Sequence, residues 1–269
     1  MIEKNKKKLL KANISNAHNE INRFLEKKFN FTREQIYFKQ YTLNKNQINV
    51  FNNFINRRIK EEPFQYILNI SSFCGLDLYV DSNVLIPRPE TELIINILIK
   101  NNFKFKSALD IGTGSGNLAI ALSKNNISEN ITALDNSKKA LKVANKNLKK
   151  HNVKNVKLEH CDYLQKNIYQ SFDLLVCNPP YISKKEYIQL ESGVKTYEPK
   201  SALTDNLDGL TFYYKIKNDL HDLVKKNGMI LLEIGYEKYK PKISDIFKDY
   251  STKWHKDLNG DFRVIQIFR

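Results

Sequence analysis

The stretch LLVCNPPYIS, Leu174 to Ser183, ends an apolar run with Asn178, Pro179, Pro180 and Tyr181. That tetrapeptide suits neither a helix interior nor a central strand, because each proline removes a backbone donor and fixes φ. It does suit a chemical task. A nitrogen attached to a π system has a delocalised lone pair and is a poor nucleophile. Two acceptors that hold its two N–H groups aim that lone pair at an electrophile. The Asn178 side-chain carbonyl and the Pro179 backbone carbonyl are such acceptors. Pro179 and Pro180 stiffen the turn, and Tyr181 offers a ring face to a planar group or a cation. A plain strand-ending turn accounts for the same residues without any chemistry.

A second cluster narrows the choice. LDIGTGSGNLAI sets Gly112, Thr113, Gly114, Ser115 and Gly116 between a predicted strand and a predicted helix, where missing Cβ atoms let backbone approach a ligand. A P-loop needs Gly-Lys-Ser/Thr, and Asn117 follows Gly116 instead; a dinucleotide fingerprint needs a small residue at that same position. What remains is the G-x-G-x-G of S-adenosylmethionine-dependent methyltransferases. The next strand ends at Asp135, about 20 residues on, the distance at which a carboxylate meets ribose hydroxyls. Ser137 is placed to cap the following helix, which leaves Asp135 free for that role. After a third strand, Asp162 suits an adenine amino group and Tyr163 a ring face, although Tyr163 also reads as a half-exposed surface aromatic. In many methyltransferases that act on a planar nitrogen the fourth strand ends as Asn178–Tyr181 does. Catalysis there is mainly positioning, with no strong general base, since the nitrogen becomes acidic once alkylated.

The elements that must position these residues follow from periodicity. Leu10, Ile14, Ala17, Ile21, Phe24, Leu25, Ile48, Phe51, Phe54, Ile55 and Ile59 recur at helical spacing, which predicts a helical domain over residues 1–72 with an aromatic packing stripe. From Pro63, FQYILNISSFCGLDLYV reads as extended, and a hairpin-like connector is expected over 73–91, ending in VLIPRPETE. A helix begins at about Glu90. Over 92–269, strands SALDIG, ITALDN, VKLEHCD, FDLLVCN and GMILLEIG alternate with amphipathic helices. That is an α/β fold, a mainly parallel sheet with helices on both faces, whose ligands sit at the carboxyl ends of the strands.

With 269 residues and 41% hydrophobic content the chain has enough apolar side chain for a proper core. No apolar run approaches the roughly 20 residues of a membrane span, and MIEKNKKKLLKANISN lacks a cleavage site. A soluble, cytoplasmic protein is the expectation. Cys74, Cys161 and Cys177 are odd in number and form no C-x-x-C pair, and His18, His151, His160, His221 and His255 lack ligand spacing, so neither disulfides nor a metal are expected. The net charge of +15 suggests a polyanion partner. Yet the lysines travel with asparagine and isoleucine through every segment, as an AT-rich coding bias also produces.

Over nearly its whole length the chain resembles the release factor glutamine methyltransferases, the PrmC/HemK family. RRIKEEPFQYIL, LIPRPETE, DIGTGSG, NPPYI, YEPKSAL, DGLTFY, LLEIGYEK and KDLNGDFRV stand in that family's order. The resemblance implies a class I S-adenosylmethionine-dependent methyltransferase fold, Rossmann-like, behind an N-terminal helical domain. It also implies N5-methylation of the glutamine in the Gly-Gly-Gln loop of class I peptide chain release factors. Carried over, Gly112 to Gly116, Asp135, Asp162, Tyr163 and Asn178 line the cofactor site. Asn178, Pro179, Pro180 and Tyr181 hold the glutamine, with Asn178, Pro179 and Tyr181 as the catalytic set. The N-terminal helices, Arg88 and Glu90 help to dock the release factor. Arg88 and Glu90 also read as a local ion pair and a first-turn helix acid. Glu61 and Asn69 stand where the family carries glycine, and Tyr163 where some members carry tryptophan. A monomer that needs neither nucleic acid nor membrane is the default. Two other readings stay open: an amino-methyltransferase of adenine, cytosine or guanine using the same Asn-Pro-Pro-Tyr site, and a non-catalytic ribosome-associated module.

Overall fold

In the computed structural model, which describes residues 1–269, the N-terminal apolar repeat builds α1 (Ile2–Lys11), α2 (Ala17–Phe29), α3 (Arg33–Tyr37), α4 (Lys45–Ile59) and α5 (Phe64–Leu68). Thr32 and Asn44 start α3 and α4 with reciprocal capping boxes closed by Gln35 and Gln47. The aromatic stripe packs inward: Phe24 and Phe54 stack at 4.2 Å between centroids, and Phe51 meets both rings edge-on. Leu9 faces this core, whereas Leu10 and Ile59 are exposed, a one-residue shift of the apolar stripe from its expected position.

Phe64–Leu68 is a helix and not the extended segment its residue types suggest. Pro63 caps it, and Phe64, Ile67 and Leu68 are buried in the same core as α2 and α4, so burial overrides β propensity. Asn69 then ends it at φ 56°, and Glu61 stands at φ 65°. Both are left-handed positions that glycine occupies without a Cβ penalty. This chain holds eight such positions with asparagine, the non-glycine side chain that best tolerates them, so its asparagine bias has a place in these turns.

A hairpin follows: β1 (Ser71–Phe73) pairs antiparallel with β2 (Leu76–Leu78). Pro89–Thr91 forms a 3₁₀ turn before α6 (Glu92–Lys100), so the helix proper starts two residues later than the sequence suggests. Then come β3 (Phe105–Ile111), α7 (Asn117–Lys124), β4 (Ser128–Asp135), α8 (Lys138–Lys150), β5 (Val156–His160), β6 (Phe172–Cys177), α9 (Lys184–Gln189), α10 (Ser192–Tyr197), α11 (Thr211–Leu223), β7 (Val224–Glu233), α12 (Lys240–Ile246), β8 (Ser251–Lys256) and β9 (Phe262–Phe268).

The chain divides into two units, Met1–Ile70 with Glu191–Tyr197, and Ser71–Leu190 with Glu198–Arg269. Within the first, the Tyr197 hydroxyl at the end of α10 donates to the Lys60 carbonyl at 3.0 Å. The second contains a seven-stranded sheet in the order β5-β4-β3-β6-β7-β9-β8, parallel except where β9 runs against β7 and β8. Strands β8 and β9 add to the strands expected from the sequence; the Asp257–Gly260 turn joins them into a hairpin beyond β7. Alternate residues of β6 enter opposite cores, Leu174 and Val176 on one face, Leu175 and Cys177 on the other. No helix is long and apolar enough to cross a membrane.

The stacked Phe24–Phe54 pair dominates the core of the first unit. Phe54→Ala is expected to remove roughly 3–5 kcal/mol of its stability, read as a lowered urea midpoint of that unit's unfolding.

Candidate active site

The chain leaves β3 and turns to β4 on one side, and later enters β6 on the other, so the strand order reverses between β3 and β6. At such a reversal the loops above adjacent strands diverge and leave a crevice. Ile111 at the end of β3 is in register with Cys177 of β6 and Leu134 of β4. Gly112 and Asn178 therefore leave the sheet side by side. A cavity opens there, lined by Gly112 to Ser115, Asp135, Asp162, Tyr163 and Asn178 to Pro180, together with Arg88, Thr91, Pro199, Ser201, Ala202 and Phe212.

The floor is built by the glycine-rich turn. Gly112 and Gly114 have φ of +74° and +53°, and a Cβ on Gly112 would meet nothing within 4 Å. That open space is where a ligand can approach backbone. Gly116 serves a different purpose: it is absent from the cavity wall, and a Cβ there would come within 3.3 Å of Ala144, so it lets α7 lie close to α8. Thr113 donates to buried Asp110 at 2.7 Å, and Asn147 Nδ2 donates to the Ser115 carbonyl at 2.9 Å, which pins the turn from below. Burial pushes the Asp110 carboxyl up to about 7, with the nearby Asp135 charge adding to that rise against the Thr113 hydrogen bond.

Asp135 accepts from the Gly114 N–H at 2.9 Å and the Ser137 N–H at 2.8 Å, while Ser137 Oγ caps α8 by accepting from Ala140 N–H. Its carboxylate thus joins the two loops above β3 and β4, with lone pairs left for hydroxyl donors. Asp162 and Tyr163 also line the cavity; Tyr163 is buried, not half-exposed, with Phe212 at 6.3 Å between centroids. The buried Ser115 hydroxyl has no partner within the protein. Open backbone at Gly112, two-sided Asp135, an unpaired Ser115 hydroxyl and an aromatic wall together fit a ligand with an amino acid, a ribose and a base, as S-adenosylmethionine has. No group of three or more His, Cys, Asp or Glu side chains is placed to hold a metal ion.

On the other wall, Asn178 Nδ2 donates to Thr91 Oγ1 at 3.0 Å. With its nitrogen so occupied, its Oδ1 is the atom left to accept. Tyr181 does not line the cavity. Its ring lies against Gly235 and its hydroxyl donates to Glu233 Oε1 at 3.3 Å, behind the Pro179–Pro180 turn. Burial raises its phenol pKa, and the Glu233 charge adds to that. Arg88 reaches the cavity and pairs at 2.6 Å with Glu198, a carboxylate that is nearly fully buried and also accepts from the Ile86 N–H. The YEPKSAL and LIPRPETE segments are thereby joined. Glu90 is not part of the wall; its charge is felt by Glu233.

Thr91, Glu233, Phe212 and Cys161 were not among the residues expected at the site. A signal existed for Glu233, a lone acid at the end of the apolar run GMILLEIG, since an unpaired buried carboxylate is costly. Nothing local marks Thr91 or Phe212, whose partners are distant in sequence.

Residues 2–68 match the family PrmC N-terminal domain, and residues 89–192 the methyltransferase small domain. A release factor glutamine methyltransferase of Streptococcus pneumoniae is 38% identical over 211 residues, 77% of this chain and 75% of that protein. One from Buchnera aphidicola is 38% identical over 230 residues, 84% of this chain and 82% of that protein. A bifunctional methyltransferase of Rickettsia prowazekii is 35% identical over 249 residues, and this chain spans 48% of its length. A solved methyltransferase from Pyrococcus furiosus shares the fold, with a TM-score of 0.54 and 21% identity over 81% of this chain and 98% of that one.

A Cβ on Gly235 would lie 2.2 Å from the Tyr181 ring. Gly235→Ala is expected to lower stability by about 1–3 kcal/mol. Thermal unfolding should show that loss shrinking in the Tyr181→Ala background, where the colliding ring is gone; equal losses in both backgrounds would refute the packing account.

Proposed function

The chain belongs to the release factor glutamine methyltransferase family, and from that premise we propose that it methylates the N5 side-chain amide of the glutamine in the Gly-Gly-Gln loop of class I peptide chain release factors. The observation that carries this reading is the free Asn178 Oδ1 beside the Pro179 turn, at the end of a strand adjacent to the glycine-rich floor. A glutamine amide offers two N–H groups in one plane. Asn178 Oδ1 and the Pro179 carbonyl accept them, and the lone pair is turned toward the floor.

S-adenosylmethionine, when bound, supplies an electrophilic methyl group on a sulfonium. The residues proposed to hold it are Gly112 to Ser115, Asp135, Asp162 and Tyr163, with Asn178 between donor and acceptor. Gly116 contributes by packing α7 onto α8. Pro179 and Pro180 keep the acceptor pair rigid, so little ordering is left for the bound state; holding a near-attack geometry is worth up to ~7–11 kcal/mol. Tyr181 acts from behind, by seating the turn against Gly235 and Glu233. In the same reading the helical unit and the cavity-edge Arg88 dock the release factor, with Glu90 beside them, and Glu198 holds Arg88 in place. The protein is taken to act as a monomer in the cytoplasm, without obligatory nucleic acid.

The test is to incubate the full chain with labelled S-adenosylmethionine and either a release factor or total RNA and DNA, and to locate the label by mass spectrometry. Label on the loop glutamine is expected. Label on nucleobases would replace this reading with the nucleic-acid alternative, and no transfer at all would favour a binding module. Asn178→Ala should lower kcat by about a hundredfold or more while S-adenosylhomocysteine affinity, measured by calorimetry, changes much less. An Asn178→Ala enzyme with unaltered kcat would contradict the amide-clamp mechanism.

A further inference from the structure

A buried carboxyl stands next to the site. Glu233, the last residue of β7, is 1% exposed. Its Oε1 accepts from the Tyr181 hydroxyl at 3.3 Å, its Oε2 has no partner, and the Thr91 hydroxyl lies beside it. Thr91 is also the residue that receives Asn178 Nδ2. Thr91 thus stands next to both the Asn178 amide and the Glu233 carboxyl.

We propose that Glu233 is a positioning residue for methyl transfer: its carboxylate, through the otherwise unpartnered Oε2, accepts a hydrogen bond from the Thr91 hydroxyl, so that Thr91 Oγ1 accepts from Asn178 Nδ2 and Asn178 Oδ1 is left facing the substrate nitrogen. The proposal rests on the amide-clamp role given to Asn178 above. Its logic is a count of protons. The oxygen and nitrogen of a primary amide are nearly the same size, so shape does not orient Asn178. A hydroxyl has one proton. Where an ionised carboxylate, an acceptor only, accepts that proton in a hydrogen bond, the hydroxyl has lone pairs alone to offer Asn178, and the amide must present its nitrogen. Tyr181 donates to the same carboxylate and so holds the Pro179–Pro180 turn in the same register.

Protonation of Glu233 reverses the order. The acid becomes a donor, Thr91 is free to donate to Asn178 Oδ1, and the flipped amide meets the substrate N–H groups with its own. Burial pushes the Glu233 carboxyl up to about 7, held down in part by Thr91, by Arg263 of β9 and by Tyr181, and raised further by the Glu90 charge. The other titratable groups against it are Tyr213, whose hydroxyl donates to the Glu233 carbonyl at 2.6 Å, and the buried Cys177 thiol, which the Glu233 charge raises. The orienting form is the carboxylate, present above this range and lost as pH falls through it, so activity should fall toward acid with a midpoint near 7.

The test uses the ¹⁵N-labelled full-length protein together with release-factor kinetics. The Asn178 side-chain NH2 resonances, assigned by their loss in Asn178→Asp, should move with pH about a midpoint near 7. They should stop doing so in Glu233→Gln and shift in Thr91→Val at every pH. Thr91→Val should lower kcat by about ten- to a hundredfold with little change in S-adenosylhomocysteine affinity, and Thr91→Ser should restore it. Resonances indifferent to both Glu233→Gln and Thr91→Val, or a Thr91→Val enzyme with unaltered kcat, overturn the proposal. A responsive Asn178 amide in a protein that leaves release factors unmethylated supports the relay and refutes the proposed substrate instead.

Discussion

The hydrogen bond from Asn178 Nδ2 to Thr91 Oγ1 is the interaction on which the site depends, because it decides which end of a nearly symmetric amide faces the cavity. Every layer around it serves that geometry. Strand β6 is buried on both faces and cannot slide. The two prolines end it without further ladder bonds, and Thr91 arrives from a 3₁₀ turn set by Pro89.

The same cavity combines two kinds of wall. The floor is backbone: Gly112 and Gly114 in left-handed conformations, bridged by Asp135 between two loops. The opposite wall is side chain, and its members are tied in pairs across long sequence distances, Asn178 to Thr91, Tyr181 to Glu233, Arg88 to Glu198. Backbone suits a ligand whose shape is constant, since it has few rotamers to order. Paired side chains suit a substrate amide whose two hydrogens must be held in a plane.

The basic charge enters none of these pairs as a free field. Arg88 and Arg263, whose charges act on Tyr181, are engaged by Glu198 and Asp257. The asparagine bias that accompanies the lysines has a structural use at left-handed positions, where its side chain stands in for glycine at the cost of a Cβ.

The parallel α/β order, the glycine-rich turn after β3, Asp135 at the end of β4, and Asn-Pro-Pro-Tyr after β6 were legible in the sequence because each is a local pattern. Alternation and breaking of periodicity, glycine at a tight turn and proline at a strand end act over a few residues, and their physical consequences are set there. Three things were settled only by tertiary structure. Phe64–Leu68 became a helix because the aromatic core of the first unit buries it. Tyr181 faces Gly235 and Glu233, not the cavity, because Gly235, lacking a Cβ, leaves room for the ring behind the turn. The Asn178 amide owes its orientation to Thr91, 87 positions away along the chain, and a hydrogen bond of that range leaves no mark on the residues beside it.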